Sequence, residues 1–82
     1  MLNLDTLRSF AEVAKSGSFS RAAQVLGLSQ PTVSEHIRSL EDRLGLALIV
    51  RGRRQSALTP DGERVLVTAE RIIELSTALF LT

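Results

Sequence analysis

Cysteine is absent from this 82-residue sequence, and histidine occurs once. Without cysteine, neither a disulfide nor a thiolate metal site can form, and the single His36 has no second imidazole with which to hold a metal. The sequence therefore predicts no metal centre, and we expect His36 to be exposed or to face a bound partner. The lack of cysteine also fits a reducing cytoplasm, which is the expected location of the protein.

Long apolar runs are missing as well. None approaches the roughly 20 residues needed to span a bilayer, and the N-terminus lacks the basic stretch followed by an apolar one that begins a signal peptide. The sequence also lacks a nucleophile with a base and an orienting group, and it has no glycine-rich phosphate loop. We therefore expect no membrane segment, no enzyme activity and no cofactor.

The net charge is only +1, but the charges are unevenly distributed. Residues 1–58 carry eight basic and five acidic side chains, whereas residues 59–82 carry two basic and four acidic ones. A mildly basic body with an acidic C-terminal segment predicts that any phosphate contact is made by the body.

Three apolar series with helical spacing occupy the first half of the chain. They lie within residues 3–17, 18–27 and 29–45, and each begins at an Asn or Ser that can cap a helix and ends at a glycine. Pro31 lies in the first turn of the third helix, where its missing N–H costs nothing. Only two residues separate Gly27 from that helix, so the second and third helices must cross steeply, as in a helix-turn-helix.

The second half begins with a predicted hairpin. Residues 46–50 form an apolar run that is too short for a helix, residues 51–56 are polar and contain glycine, and residues 57–59 give a second short strand. A Thr-Pro-Asp sequence at 59–61 then begins a long helix. The predicted fold is mostly α: a winged helix-turn-helix with a three-helix body, a small β-hairpin wing and a long C-terminal helix.

The third helix presents a polar surface in its first turns. We expect this surface to read DNA, because a helix fits the major groove and its N-terminal residues reach base edges. Gln30 can bond adenine at N6 and N7, and the methyl group of Thr32 can contact a thymine methyl. The alternative is an ordinary solvated helix face. The candidate residues are Ser29, Gln30, Pro31, Thr32, Ser34, Glu35 and His36.

Three arginines, Arg51, Arg53 and Arg54, fall in the predicted hairpin loop, which contains no acid. Their long side chains would reach the DNA backbone or enter a minor groove. The alternative is a solvated turn that keeps an edge strand soluble. Together with the tight turn before the third helix, the basic loop favours DNA binding.

The last helix carries a broad apolar stripe. It would be roughly 33 Å long, more than the roughly 25 Å breadth expected of a body built from the remaining residues. One alternative is that the stripe only packs on the domain's own core. Because the far end would protrude, we instead expect residues 59–82 to form a linker helix that pairs with a second copy. The predicted interface consists of Val65, Ala69, Ile72, Ile73, Ser76, Leu79 and Phe80.

These motifs resemble the N-terminal domain of the LysR-type transcriptional regulators. The similarity covers essentially the whole chain and includes Gly-Ser-Phe-Ser-Arg-Ala-Ala at 17–23, Leu-Ser-Gln-Pro-Thr-Val-Ser at 28–34 and Leu-Thr-Pro-Asp-Gly at 58–62. It implies a bacterial regulator in which a winged helix-turn-helix is followed by a dimerising linker helix. It also implies a small-molecule-sensing domain of two α/β lobes, which this chain does not contain.

The resemblance also carries DNA contacts over onto individual residues. By this similarity they are Ser29, Gln30, Pro31, Thr32, Ser34 and Arg38 in the recognition helix, and Arg51 and Arg53 in the wing. Two positions depart from the family pattern: Glu35, where a non-acidic residue is usual, and Ile49, where Phe is common. An acid at position 35 would be repelled by phosphate but could accept a hydrogen bond from cytosine N4.

The sequence is interpreted as a homodimer that binds a partly palindromic double-stranded DNA site. A small-molecule effector would act only through the domain that the chain lacks. The alternative is a protein-interaction module without nucleic-acid binding, which would have no need of a basic loop beside a polar helix face. RNA binding is disfavoured because Phe10, Phe19 and Phe80 all lie on apolar stripes, leaving no exposed aromatic for base stacking.

Overall fold

A computed structural model of the chain describes residues 3–81. Four helices and two strands follow one another in the predicted order. Their bounds are α1 Leu4–Ser16, α2 Phe19–Leu26, α3 Gln30–Leu44, β1 Ile49–Arg51, β2 Ser56–Leu58 and α4 Pro60–Leu81. None of the helices in this described part is long and apolar enough to cross a membrane.

The body helices begin at residues that can cap a helix and end at glycines. The hydroxyl of Ser18 accepts a hydrogen bond from the N–H of Arg21 at the start of α2, and that of Ser29 accepts from the N–H of Thr32 at the start of α3. Gly27 ends α2 at a φ of 68°, in the left-handed region that favours glycine. The chain then turns directly into α3, which confirms the predicted helix-turn-helix.

Helices α1, α2 and α3 enclose the core, and the segments after them each add one fully buried side chain, Leu48 before β1 and Ala69 in α4. The core residues are apolar and nearly inaccessible to solvent. They are Leu7, Phe10, Val13, Phe19, Ala22, Ala23, Val33, Ile37, Leu40, Leu48 and Ala69. Because most of them come from the three body helices, this core fixes how α2 and α3 are presented.

The wing is a two-stranded antiparallel hairpin that is held at both ends. Its first strand is shorter than predicted, covering only residues 49–51. The segment before it is not part of this strand pairing; instead, the N–H of Leu48 donates to the Glu41 carboxylate at 2.8 Å. On the other strand, the N–H of Ser56 donates to the carbonyl of Gly17 at 2.8 Å. The wing is therefore fixed against the last turn of α3 and against the turn between α1 and α2.

Helix α4 crosses the body and then extends beyond it. Gly62 allows the close crossing, because a Cβ at this position would clash with the carbonyl oxygen of Leu48. Ala69 is 1% exposed, whereas Leu75 and Phe80 are 65% and 83% exposed. With 22 residues, the helix is about 33 Å long, and the molecule measures 43 × 26 × 19 Å. Its second half therefore protrudes.

Candidate nucleic-acid interface

The start of α3 is exposed and internally ordered. Gln30 and Pro31 in its first turn are exposed. The hydroxyls of Ser29 and Thr32 lie 2.8 Å apart and hydrogen-bond to each other. Because Ser29 also caps the helix, the backbone of this first turn is held in place while the Gln30 side chain remains accessible. Gln30, which is predicted to bond adenine, thus lies at the accessible end of a helix whose first turn is held in place.

The wing reaches this helix through Arg51, the last residue of β1. Its guanidinium donates from Nη2 to Ser34 Oγ at 2.9 Å. The same group lies over the ring of Phe19, 3.9 Å from the centroid. Phe19 itself is 7% exposed, so its ring is a fixed platform. Arg51 therefore joins β1, α2 and α3 at one point.

The remaining wing arginines, Arg53 and Arg54, lie at the exposed hairpin tip. Together with Arg51 and Gln30, they line a cleft between the wing and the helix-turn-helix. Among the described residues, the lining contains three arginines and no acidic side chain. The structure thus brings the predicted wing residues and the start of the recognition helix onto one positively charged surface.

Glu35 and Arg38 lie on the outer face of the same helix. Their side chains are 66% and 73% exposed and form an ion pair of 3.8 Å. Exposed ion pairs at this spacing on a helix contribute only about 0.2–0.5 kcal/mol, so either group remains available to a partner. The pair also places a cation beside the acid that departs from the family pattern.

His36 is not placed as expected. Its Nδ1 lies 2.7 Å from the hydroxyl of Ser9, a residue of α1 that is 0% exposed. The imidazole is half-buried against the body rather than presented with the polar face of α3. His36 is therefore less exposed than predicted, because α1 packs against this side of α3. That it faces DNA stays a prediction.

The predicted interface on α4 divides into two parts. Val65 and Ile73 pack against the body, and Ser76 is half-buried. Ala69 lies inside the core of the monomer, so its assignment to an interface is wrong: a small side chain is needed where α4 crosses the body. The predicted interface divides in this way because α4 has two apolar faces, an inner one that packs on the body and an outer one that is exposed.

The outer face carries an exposed threonine followed by three exposed apolar residues, with spacings of four, three and four positions. We name this set, Thr68, Ile72, Leu75 and Leu79, the α4 strip. Leu75, absent from the predicted interface, is 65% exposed, and Ile72 and Leu79 are 38% and 72% exposed.

Phe80 lies in the last turn of α4 and is 83% exposed. The expectation that the chain has no exposed aromatic is therefore wrong, because α4 continues past the body before it reaches this residue. Phe10 and Phe19 are buried as expected.

Sequence reasoning missed three residues that shape this surface: Phe19 as the platform for Arg51, Glu41 as the acceptor at the base of the wing, and Ser9 beneath α3. Each acts through a partner that is distant in sequence. Only Glu41 gave a local signal, since it is an acid in the last turn of a helix, where the dipole disfavours a negative charge.

A tight helix-turn-helix, a β-hairpin that joins its second helix through an arginine, and a basic cleft between them define a winged helix-turn-helix domain. Residues 4–63 match the bacterial regulatory helix-turn-helix proteins of the lysR family. The chain belongs to this family.

Among curated relatives, the chain is 44% identical over 79 residues to the SDS degradation transcriptional activation protein of a Pseudomonas species, covering 96% of this chain and 26% of that protein. Oxidized OxyR of Corynebacterium glutamicum is similar in structure, with a TM-score of 0.94 and 34% identity over 98% of this chain and 24% of that one. The CbnR_DBD–DNA complex gives a TM-score of 0.89 and 36% identity over 93% of this chain and 87% of that one. The chain spans about a quarter of the length of the curated relatives it matches.

Proposed function

We propose that this chain binds double-stranded DNA sequence-specifically, as the DNA-binding part of a bacterial LysR-type transcriptional regulator. The observation that carries the proposal is the cleft in which Gln30, at the start of the recognition helix, lies with Arg51, Arg53 and Arg54 of the wing. A helix that reads bases must be held beside cations that bind phosphates, and this surface supplies both. A protein-interaction module has no need of this combination.

In the proposed complex, the first turns of α3 enter the major groove, and the wing tip reaches the neighbouring backbone or minor groove. Gln30 would read adenine, and Arg53 and Arg54 would neutralise phosphates. The residues that form the proposed DNA-binding surface are Ser29, Gln30, Pro31, Thr32, Ser34, Glu35, Arg38, Arg51, Arg53 and Arg54.

The names of solved relatives support this assignment. The CbnR_DBD–DNA complex and the BenM_DBD/catB site 1 DNA complex both match this chain over most of their own length, 87% in each case. The curated relatives are named as transcriptional activators or regulators. We extend to this chain the activity that these names describe, and propose that it acts on DNA in the cytoplasm by binding rather than by catalysis.

We propose further that two copies pair through α4, so that residues 1–58 bind DNA and residues 59–82 form the linker and dimerisation helix. The support is the α4 strip, whose spacing of four, three and four residues is that of a helix–helix seam. Ile72 also lines a groove with Leu40 and Leu44 of α3, which extends the apolar surface onto the body. A two-fold dimer would bind a partly palindromic site with half-sites roughly one helical turn apart.

We propose that the small-molecule signal of such a regulator acts outside residues 1–82. The support is length, because the chain covers about a quarter of the curated relatives.

The test is selection of bound duplexes from a random library, followed by affinity measurements at one fixed salt concentration. The wild-type chain should enrich a partly palindromic sequence. Gln30→Ala should weaken binding to that sequence by roughly 1–3 kcal/mol and bind a random duplex of equal length almost unchanged. Equal losses on both duplexes would show that Gln30 contacts only the backbone, and failure of the wild-type chain to retain any duplex would overturn the proposal.

A further inference from the structure

Arg51 differs from the other two arginines of the wing. Within residues 3–81, neither Arg53 nor Arg54 makes a hydrogen bond or an ion pair with another side chain, whereas Arg51 is bound on two sides, by Phe19 and by Ser34. We infer that Arg51 is a positioning residue, which orients the Ser34 hydroxyl toward a hydrogen-bond acceptor on a DNA base rather than neutralising a phosphate. The inference rests on the proposed DNA binding and assigns a specific role to one part of that surface.

The position of the Arg51 guanidinium is fixed from below by Phe19. The ring is 7% exposed and the guanidinium carbon lies over it, 3.9 Å from its centroid, which is a cation–π contact. The guanidinium is planar, so fixing its carbon over the ring limits the directions in which its N–H groups can donate. One of them meets Ser34 Oγ at 2.9 Å. Through Arg51, the Ser34 hydroxyl is therefore linked to the buried ring of Phe19.

The Ser34 hydroxyl has one proton to donate and two lone pairs, one of which accepts from Arg51. In other helices of this chain, a hydroxyl donates to the carbonyl four residues earlier: Ser16 to Glu12 at 2.8 Å and Thr77 to Ile73 at 3.1 Å. For Ser34, no acceptor of this kind is found among residues 3–81. Its proton is therefore available to a group outside the chain.

Within the described residues the hydroxyl proton of Ser34 has no acceptor, so Ser34 can donate it to an acceptor on a base. In the major groove, the base acceptors are purine N7, guanine O6 and thymine O4, while the exocyclic amines of adenine and cytosine are donors. Ser34 should therefore be able to hydrogen-bond a base that presents one of these acceptors at the position it faces. Arg51 of the wing would thus contribute to sequence recognition by orienting Ser34, without itself contacting a base.

The test is a double-mutant cycle on the duplex selected by the wild-type chain, with Arg51→Ala, Ser34→Ala and the double variant. Each single variant should weaken binding by about 3- to 10-fold. The double variant should bind no more weakly than Arg51→Ala alone, because Ser34 has then already lost its orientation. Losses that multiply would overturn the inference.

The dependence on salt separates positioning from phosphate contact. Arg53→Ala, the matched control from the same loop, should lower the slope of log affinity against log salt by about 1. Arg51→Ala should leave that slope unchanged. A fall of about 1 for Arg51→Ala would show that Arg51 contacts a phosphate, and would overturn the inference while leaving the proposed DNA binding intact.

A second variant, Arg51→Lys, keeps the charge and protects the test against a change of fold. A lysine retains a phosphate contact but lacks the planar group that lies over the Phe19 ring and donates to Ser34. Arg51→Lys should therefore lose preference for the selected duplex about as much as Arg51→Ala, with the same helical circular dichroism as wild type. Full retention of preference by the lysine variant would overturn the inference. A wild-type chain that binds no duplex would overturn the proposed function itself.

Discussion

Replacement of Leu75 by glutamate should dissociate the proposed dimer while leaving each protomer folded. Leu75 lies in the protruding half of α4 and is 65% exposed in the monomer, so it contributes little to the core. In a pair of α4 strips it would be buried, and a carboxylate in its place would be taken out of water.

The size of the effect follows from this exposure. Full burial of a leucine side chain stabilises by about 1.5–3 kcal/mol, and 65% of the side chain remains to be buried. A symmetric dimer loses this contribution twice, which amounts to about 2–4 kcal/mol of dimerisation free energy. The Kd for self-association should therefore rise by about 30- to 1000-fold, and desolvation of the carboxylate would increase this further.

Sedimentation equilibrium over a range of protein concentrations measures this Kd directly. Val67→Glu is the matched control, since Val67 is 64% exposed in the same helix but lies among charged residues outside the α4 strip. This variant should dimerise like wild type. Both variants should keep wild-type helical circular dichroism.

Three results would refute the reasoning. An unchanged Kd for Leu75→Glu, or equal changes for both variants, would place the interface elsewhere. Loss of helical signal in Leu75→Glu would show that the residue stabilises the monomer. If the wild-type chain remained monomeric at every concentration, the α4 strip would not pair two copies of this chain.

Three further predictions concern the monomer and can be checked by urea unfolding followed by circular dichroism. His36→Ala should lower the free energy of unfolding by about 1–3 kcal/mol, because it leaves the buried Ser9 hydroxyl without a partner. The double variant His36→Ala/Ser9→Ala should lose less stability than His36→Ala alone. A larger loss in the double variant would contradict the hydrogen bond between His36 and Ser9. Gly62→Ala should cost about 1–3 kcal/mol through the clash of its Cβ with the Leu48 carbonyl, so unchanged stability would show that α4 can shift freely. Glu41→Gln should cost roughly 1–2 kcal/mol, since the N–H of Leu48 loses a charged acceptor, and a variant as stable as wild type would show that this contact contributes nothing.

Local chemistry made most of the secondary structure predictable. The caps at Ser18 and Ser29 and the glycine at position 27 act within a few residues of the bonds they satisfy. Together with these caps, apolar spacing predicted four helices and their order. The strand after α3 was predicted too long, because the Glu41 carboxylate that takes up the N–H of Leu48 comes from seven positions earlier, in a different element.

The candidate site was predictable as a set of residues but not as an arrangement. The composition of the wing loop and of the first turns of α3 indicated which side chains face outward. It gave no sign that Arg51 would be bound to Ser34, 17 positions away, and would rest on Phe19. The spacing of the apolar residues in α4 likewise could not show which face meets the body.

The sequence by itself therefore determined the elements, their order and the residue types available for binding, because capping and periodicity depend on neighbours in the chain. Tertiary structure alone decided that Ala69 is core while Leu75 is exposed, and that His36 pairs with Ser9, 27 positions away. Such pairings depend on how helices cross, and crossing depends on the combined shape of side chains from several elements. No single stretch of sequence contains that information.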